Sequence, residues 1–250
     1  MSDPASAPVH TARGPVCCAH RHGTEVYRVG FAPSPWEWTP WEYATDGRFT
    51  GRWDDPNGVW RTLYTGASRL ACFLEVLAFA RPSPQMTAEL DDIVVDDEDE
   101  AAFPSLPLGL VPRSWCTPRL AVRGAVTGWF ALPGHPETLA TLRAGFRAAA
   151  IRHGLDDLDG AAIRDGRPCA LTQAISQWIN TLTDPDGQPV TGVEFDSRHG
   201  DGLRLWAIYE RPGDPPISPH LTALESAPVR PDDPELGNAM RLLGLEWDDT

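Results

Sequence analysis

Apolar positions along the chain change period several times, and each change marks an element. From Ser68 the pattern is helical, with Leu70, Phe73, Leu74, Leu77 and Phe79 covering most of a circumference and Ser68 placed to cap it. "PETLATLRAGFRAAAIRHG" (136–154) repeats Leu139, Leu142, Phe146 and Ala149 at helical spacing, with Gly154 as a stop. "TQAISQWINTL" (172–182) sets Ile175, Trp178, Ile179 and Leu182 on one face, with Thr172 as its cap, and a short helical stretch lies near "NAMRLLGL". Between these come extended segments: "EVYRVGF" (25–31), "WRTLYT" (60–65), "DDIVV" at the head of an acidic run (91–100), "RLAVRGAV" (119–126), "GVEF" after a turn, and "LRLWAIYE" (203–210). The order β, α, β, α, α, β, β predicts an α+β fold, a mixed sheet core with flanking helices, and not an alternating parallel sheet.

Two regions lack such patterning. Residues 1–24 show no period and are expected to be loose, while 212–250 is rich in Pro and Asp and reads as an extension. The predicted organisation is therefore a loose 1–24 segment, a domain over 25–211 and a 212–250 extension. "PSPWEWTPW" reads as an irregular aromatic loop and "WDDPNG" (53–58) as a turn cluster.

Composition narrows the function classes. A chain of 250 residues suffices for a sizeable core, and 42% hydrophobic with 22% charged residues is the balance of a globular protein. A net charge of −14 argues against direct nucleic-acid or membrane-surface binding. All 21 basic residues are Arg, so Schiff-base chemistry, a P-loop lysine and a Ser–Lys dyad are absent. An anionic substrate would be held by Arg or by backbone amides. The five cysteines have no framework spacing, and "CCAHRH" (17–22) crowds its ligands without a second half, so no disulfide scaffold and no metal site are expected. No apolar stretch is long enough for a membrane span and no secretory leader is evident, so a cytoplasmic location is expected.

Glu75 is the odd residue of its helix. Its neighbours three and four positions away are Ala71, Cys72, Ala78 and Phe79, none able to pair with a carboxylate. It must either swing to water or meet a cation or donors brought from elsewhere. Four further polar residues stand in unusual places: Arg28 within "VYRVGF", Arg52 between Gly51 and Trp53, Tyr64 at the end of a strand, and Ser197 after "GVEFD". Singly, each has a plain role as an exposed strand residue, a loop charge, a core aromatic or a turn residue. A triad of Ser197, His199 and Asp201 is unattractive, because triad members normally converge from separate elements.

Together, "YRVG … GRFTGRWDDPNGVWRTLYTGASRLACFLEVL … GVEFDSRHGDGLRLWAIYE" resembles the RES domain, the family named for its Arg, Glu and Ser that supplies toxins of bacterial toxin–antitoxin pairs. The resemblance spans roughly 25 to 210 and is strongest at 47–80. The Trp/Pro-rich tract from Phe31 to Thr50, the acidic run and the tail depart from it. It implies an ADP-ribosyltransferase-like fold that takes NAD+ as substrate, with no further cofactor, and breaks the nicotinamide–ribose bond as a glycohydrolase or phosphorylase. The alternatives are a protein ADP-ribosyltransferase and a non-catalytic NAD-binding or interaction module. The resemblance assigns catalysis to Glu75 and Arg52, and substrate binding to Arg28, Arg52, Tyr64 and Ser197. Its implied partners are NAD+ and an Xre-type helix-turn-helix antitoxin, with room for a homo-oligomer.

Overall fold

The computed structural model describes residues 6–81 and 109–248. The acidic run at 91–100 lies outside them. Nine strands and five α-helices occur among the described residues. They are β1 (Ser6–Thr11), β2 (Gly14–Phe31), β3 (Thr62–Gly66), α1 (Arg69–Leu77), β4 (Leu110–Pro112), β5 (Arg119–Ala131) and α2 (Pro136–Arg152), followed by α3 (Gly160–Asp165), α4 (Cys169–Asn180), β6 (Gly192–Asp196), β7 (Arg204–Tyr209), β8 (Leu221–Pro228), α5 (Pro234–Leu243) and β9 (Glu246–Asp248). The fold is mixed α+β.

Seven strands form one sheet in the order β1-β2-β3-β7-β6-β5-β8, and β2 also pairs with β5. The second pairing matters. Strands β2, β3, β7, β6 and β5 thereby close into a ring, while β1 and β8 flank it. The long seam is antiparallel, with Cys18 opposite Ala131 and Phe31 opposite Arg119. β5 and β6 run parallel and meet only at Phe130–Ala131 against Gly192–Val193. Inward-facing Val26, Leu63, Val122, Val126, Trp206 and Ile208 fill the ring together with Trp36 and Trp38. Gly124 makes room for that plug, since a Cβ there would come within 2.9 Å of the Trp36 ring. Trp36 and Trp38 of the "PSPWEWTPW" loop are therefore core while Trp41 is exposed, and each buried indole contributes on the order of several kcal/mol of gross burial.

Two helical layers cover the outside. α2 packs on β2 and against α4, which lies on β6, around Leu142, Phe146, Ile175 and Ile179, whereas α1 packs with α5 around Phe73, Leu77, Leu236 and Met240. Ser68 caps α1 as its position suggests, its Oγ accepting from Ala71 N at 3.1 Å. Phe79, counted on the apolar face of that helix, falls in the following 3-10 turn and is exposed.

Three sequence expectations are corrected. Residues 6–24 are not loose: β1 and the first half of β2 form a hairpin with Val16, Cys18 and Ala19 fully buried, and Cys17 N donates to Thr138 Oγ1 of α2 at 2.9 Å. Burial on both faces erased the alternation that would have marked this strand. Nor is 212–248 an appendage to a 25–211 domain. β8 pairs with β5 along its length, and α5 supplies Leu236, Ala239 and Met240 to the core. Finally, α4 begins at Cys169 after Pro168, so Thr172 lies inside the first turn, its Oγ1 donating to Cys169 O at 3.0 Å. Among the described residues, no helix is long and apolar enough to cross a membrane, and all five cysteines are free thiols.

Candidate active site

The turn "GRWDD" is built first by its own backbone and then by a strand. Asp54 N donates to Gly51 O at 3.2 Å, and Gly51 N returns a bond to Asp54 Oδ2 at 2.5 Å. Tyr64 reaches in from β3, its hydroxyl donating to Asp54 Oδ1 and accepting from Trp53 N, each at 3.0 Å. Burial, reinforced by the Asp54 charge, holds the Tyr64 phenol well above its ordinary pKa, so it remains a donor. Gln173 of α4 fixes the turn from the other side through Gly51 O at 3.0 Å. This scaffold leaves Arg52 as the residue that projects.

Arg52 crosses to the far wall. Its Nη1 donates to Arg164 O at 2.6 Å, and its guanidinium lies 4.8 Å from the centre of the Phe195 ring. Nη2 stands 3.9 Å from Glu75 Oε1, close enough to pair by charge and too far for a hydrogen bond. Burial lowers the pKa of Arg52 and the Glu75 charge opposes that shift. Glu75 comes from the last turn of α1, which is buried on its opposite face through Phe73, Leu74 and Leu77.

Ser197 meets the same carboxylate oxygen. Its Oγ donates to Glu75 Oε1 at 2.6 Å and accepts from His199 N at 3.0 Å, so a backbone amide, a hydroxyl and a carboxylate lie in sequence. Ser197 is fully buried, which makes it a support for Glu75 and leaves it no surface for a substrate. That departs from the expectation of Ser197 as a substrate-binding residue. Oε2 of Glu75 accepts no hydrogen bond among the described residues, and the side chain is 30% exposed.

Glu75, Arg52, Arg28 and Tyr64 line one cavity of about 320 Å³. Arg167 and Arg198 line it as well, with Asp165 as the second acid, and Asp165 is bound to Arg167 at 2.9 Å. Arg28 does not touch Glu75. It donates to two neutral carbonyls, Pro35 O and Tyr64 O, each at 2.8 Å, and forms no ion pair among the described residues. Burial depresses its pKa to about 10, so it stays a cation at neutral pH. A buried, charge-unpaired guanidinium is costly, and an anion entering the cavity would relieve that cost.

The structure thus brings Glu75, Arg52 and Ser197 into direct apposition, sets Arg28 in the same cavity, and makes Tyr64 the pillar of the Arg52 turn. Other residues come to the site without a role assigned from the sequence. Cys72 also lines the cavity, but burial pushes its thiol up to about 12 and its Sγ donates to Tyr27 O at 3.1 Å, so it is not poised as a nucleophile. His199 has a buried Nε2 with no partner among the described residues, and burial lowers its pKa while the Glu75 charge opposes. Its closeness in sequence to Ser197 was the available signal. Arg164, from the six-residue α3, carried no signal at all, because so short a helix shows no apolar repeat.

Compared with known protein families, curated proteins and solved structures, the chain matches none.

Proposed function

We propose that this chain consumes NAD+ by cleaving the bond between nicotinamide and ribose, on a RES-type, ADP-ribosyltransferase-like fold, and that it acts as the toxin of a toxin–antitoxin pair. The observation that carries the chemical part is Glu75: a carboxylate with one oxygen held by Ser197 and faced by Arg52, lining a cavity that four arginines also line. The toxin role rests on the sequence resemblance alone.

The chemistry follows from charge. Breaking the C1′–N1 bond sends its electron pair to the pyridinium nitrogen, which leaves as neutral nicotinamide without needing a proton. Positive charge develops on the ribose, and a carboxylate already fixed by Ser197 stabilises it. The acceptor oxygen then bonds to C1′ and sheds its proton to solvent. With water as acceptor the product is ADP-ribose, with phosphate it is the 1″-phosphate, and with a protein side chain it is a modified protein. Arg28 and Arg52 provide charge for the diphosphate, as guanidinium forks do.

The test is to incubate purified protein with NAD+, with and without phosphate, and to identify products by mass. Nicotinamide release dependent on Glu75 is the expected result. Absence of nicotinamide with every acceptor would end this reading. For the toxin role, expression should arrest growth, and a partner with a helix-turn-helix should relieve the arrest by blocking the cavity.

A further inference from the structure

Both contacts on Glu75 Oε1 trace back to a single residue of α3. Arg164 O accepts from Arg52 Nη1 at 2.6 Å, and the Arg164 guanidinium donates to Ser197 O at 2.9 Å through Nε and to Gly200 O at 3.0 Å through Nη2. An ion pair with Asp201 completes its fork. We propose that Arg164 is the positioning residue of the site: its backbone carbonyl aims the guanidinium of Arg52, while its side chain closes the 197–201 turn that presents the Ser197 hydroxyl. The two groups that orient Glu75 are thereby held in one frame, although they come from segments far apart in the chain.

Several features fix that frame. Ile163 is buried in the core beside Arg164, and Asp159 Oδ1 caps α3 by accepting from Ala162 N at 2.8 Å, so the carbonyl at 164 has little freedom. Gly166 ends the helix in the left-handed region at φ 65°. A Cβ there would lie 2.0 Å from Arg52 Cδ and 2.7 Å from its Cγ, so the Arg52 stem rests on the bare glycine. A planar fork with separated donors can hold two carbonyls and a carboxylate together, which a lysine cannot. Arg164 touches no cavity occupant through these bonds; it acts through Ser197 and Arg52.

The kinetic part of the test rests on the NAD+ reading, and the structural part does not. Arg164→Ala is expected to lower kcat about tenfold or more with KM changed less, since small misplacements at a reacting centre are expensive. In a Ser197→Ala background the same change should cost less than about threefold, because residues acting as a unit are not additive. Arg164→Lys, which keeps the stem and the charge on a single nitrogen, should fall between and serves if the alanine variant folds poorly. Gly166→Ala should likewise lose its effect when Arg52 is already replaced by Ala.

Crystal structures of the wild type and of Arg164→Lys give the readout independent of turnover. The Ser197 Oγ to Glu75 Oε1 bond is expected to lengthen or break and the 197–201 turn to shift. An unmoved turn with that bond intact overturns the proposal whatever the activity, and so does full additivity of Arg164 and Ser197 substitutions. If the wild type releases no nicotinamide, the NAD+ reading falls, and Arg164 is judged on the turn and the bond alone.

Discussion

Ser197 and Arg52 both meet Oε1 of Glu75, whereas Oε2 accepts no hydrogen bond among the described residues, and under the proposed chemistry this division assigns distinct phenotypes to the neighbours. Ser197 is buried behind the acid, so Ser197→Ala should lower kcat about tenfold while nucleotide affinity holds, as expected for loss of one hydrogen bond to a charged group. Steady-state kinetics beside calorimetric binding separates the two quantities. Arg28 should behave in the opposite way, since it lines the cavity and forms no ion pair among the described residues. Arg28→Gln should weaken ADP-ribose binding more than it slows turnover of bound NAD+. His199 gives a pH signature. Burial lowers its folded pKa below the ordinary 6.5, so the unfolded chain takes up the proton first as pH falls. Stability from neutral His199 is present above that ordinary value and lost as pH drops through the lower folded value. The thermal midpoint of wild type should fall across this acidic window more steeply than that of His199→Gln.

At the scale of elements, the site is a meeting of β2, the 51–54 turn, β3, α1, α3 and the 197–201 turn, and the sequence revealed those with a clear period. α1, with its Ser68 cap and apolar face, and the flanking strands were legible because burial on one side leaves a repeat. The constellation of Arg28, Arg52, Tyr64, Glu75 and Ser197 was legible because polar residues in apolar segments stand out. What stayed hidden had a physical cause in each case. The 6–24 hairpin buries both faces of β2, β8 is an edge strand exposed along most of its length, and α3 is too short to show a period. Roles were harder to read than positions: Tyr64, assigned to substrate binding, is the pillar under a turn, and Ser197, assigned there too, holds Glu75. Because β8 and α5 belong to the core, truncation after Pro212 should give an aggregated or unfolded product, seen by circular dichroism and gel filtration. Ser68→Ala should cost about 1 kcal/mol, read from the denaturant midpoint.

For the whole molecule, the charge distribution is lopsided. The chain carries a net −14, yet its Glu75 cavity is lined by Arg28, Arg52, Arg167 and Arg198 against Glu75 and Asp165. Arginines gathered in a cleft of an acidic protein create a local field that favours an anion where the rest of the surface repels one. Ligands that bind the folded state raise its stability by mass action. ADP-ribose or inorganic pyrophosphate should therefore raise the thermal midpoint of the wild type, and Arg28→Gln should blunt the rise. The closed strand ring, plugged by Trp36 and Trp38, carries Arg28 and Tyr64 of that cavity on β2 and β3.

The most direct measurement is nicotinamide released from NAD+ by the purified wild type and by Glu75→Gln, with the fold of both checked by circular dichroism. Release by the wild type, reduced in the variant by about a hundredfold or more at unchanged fold, is the result expected of a carboxylate that stabilises developing positive charge. Equal release by both proteins, or none from the wild type under any acceptor, would contradict it.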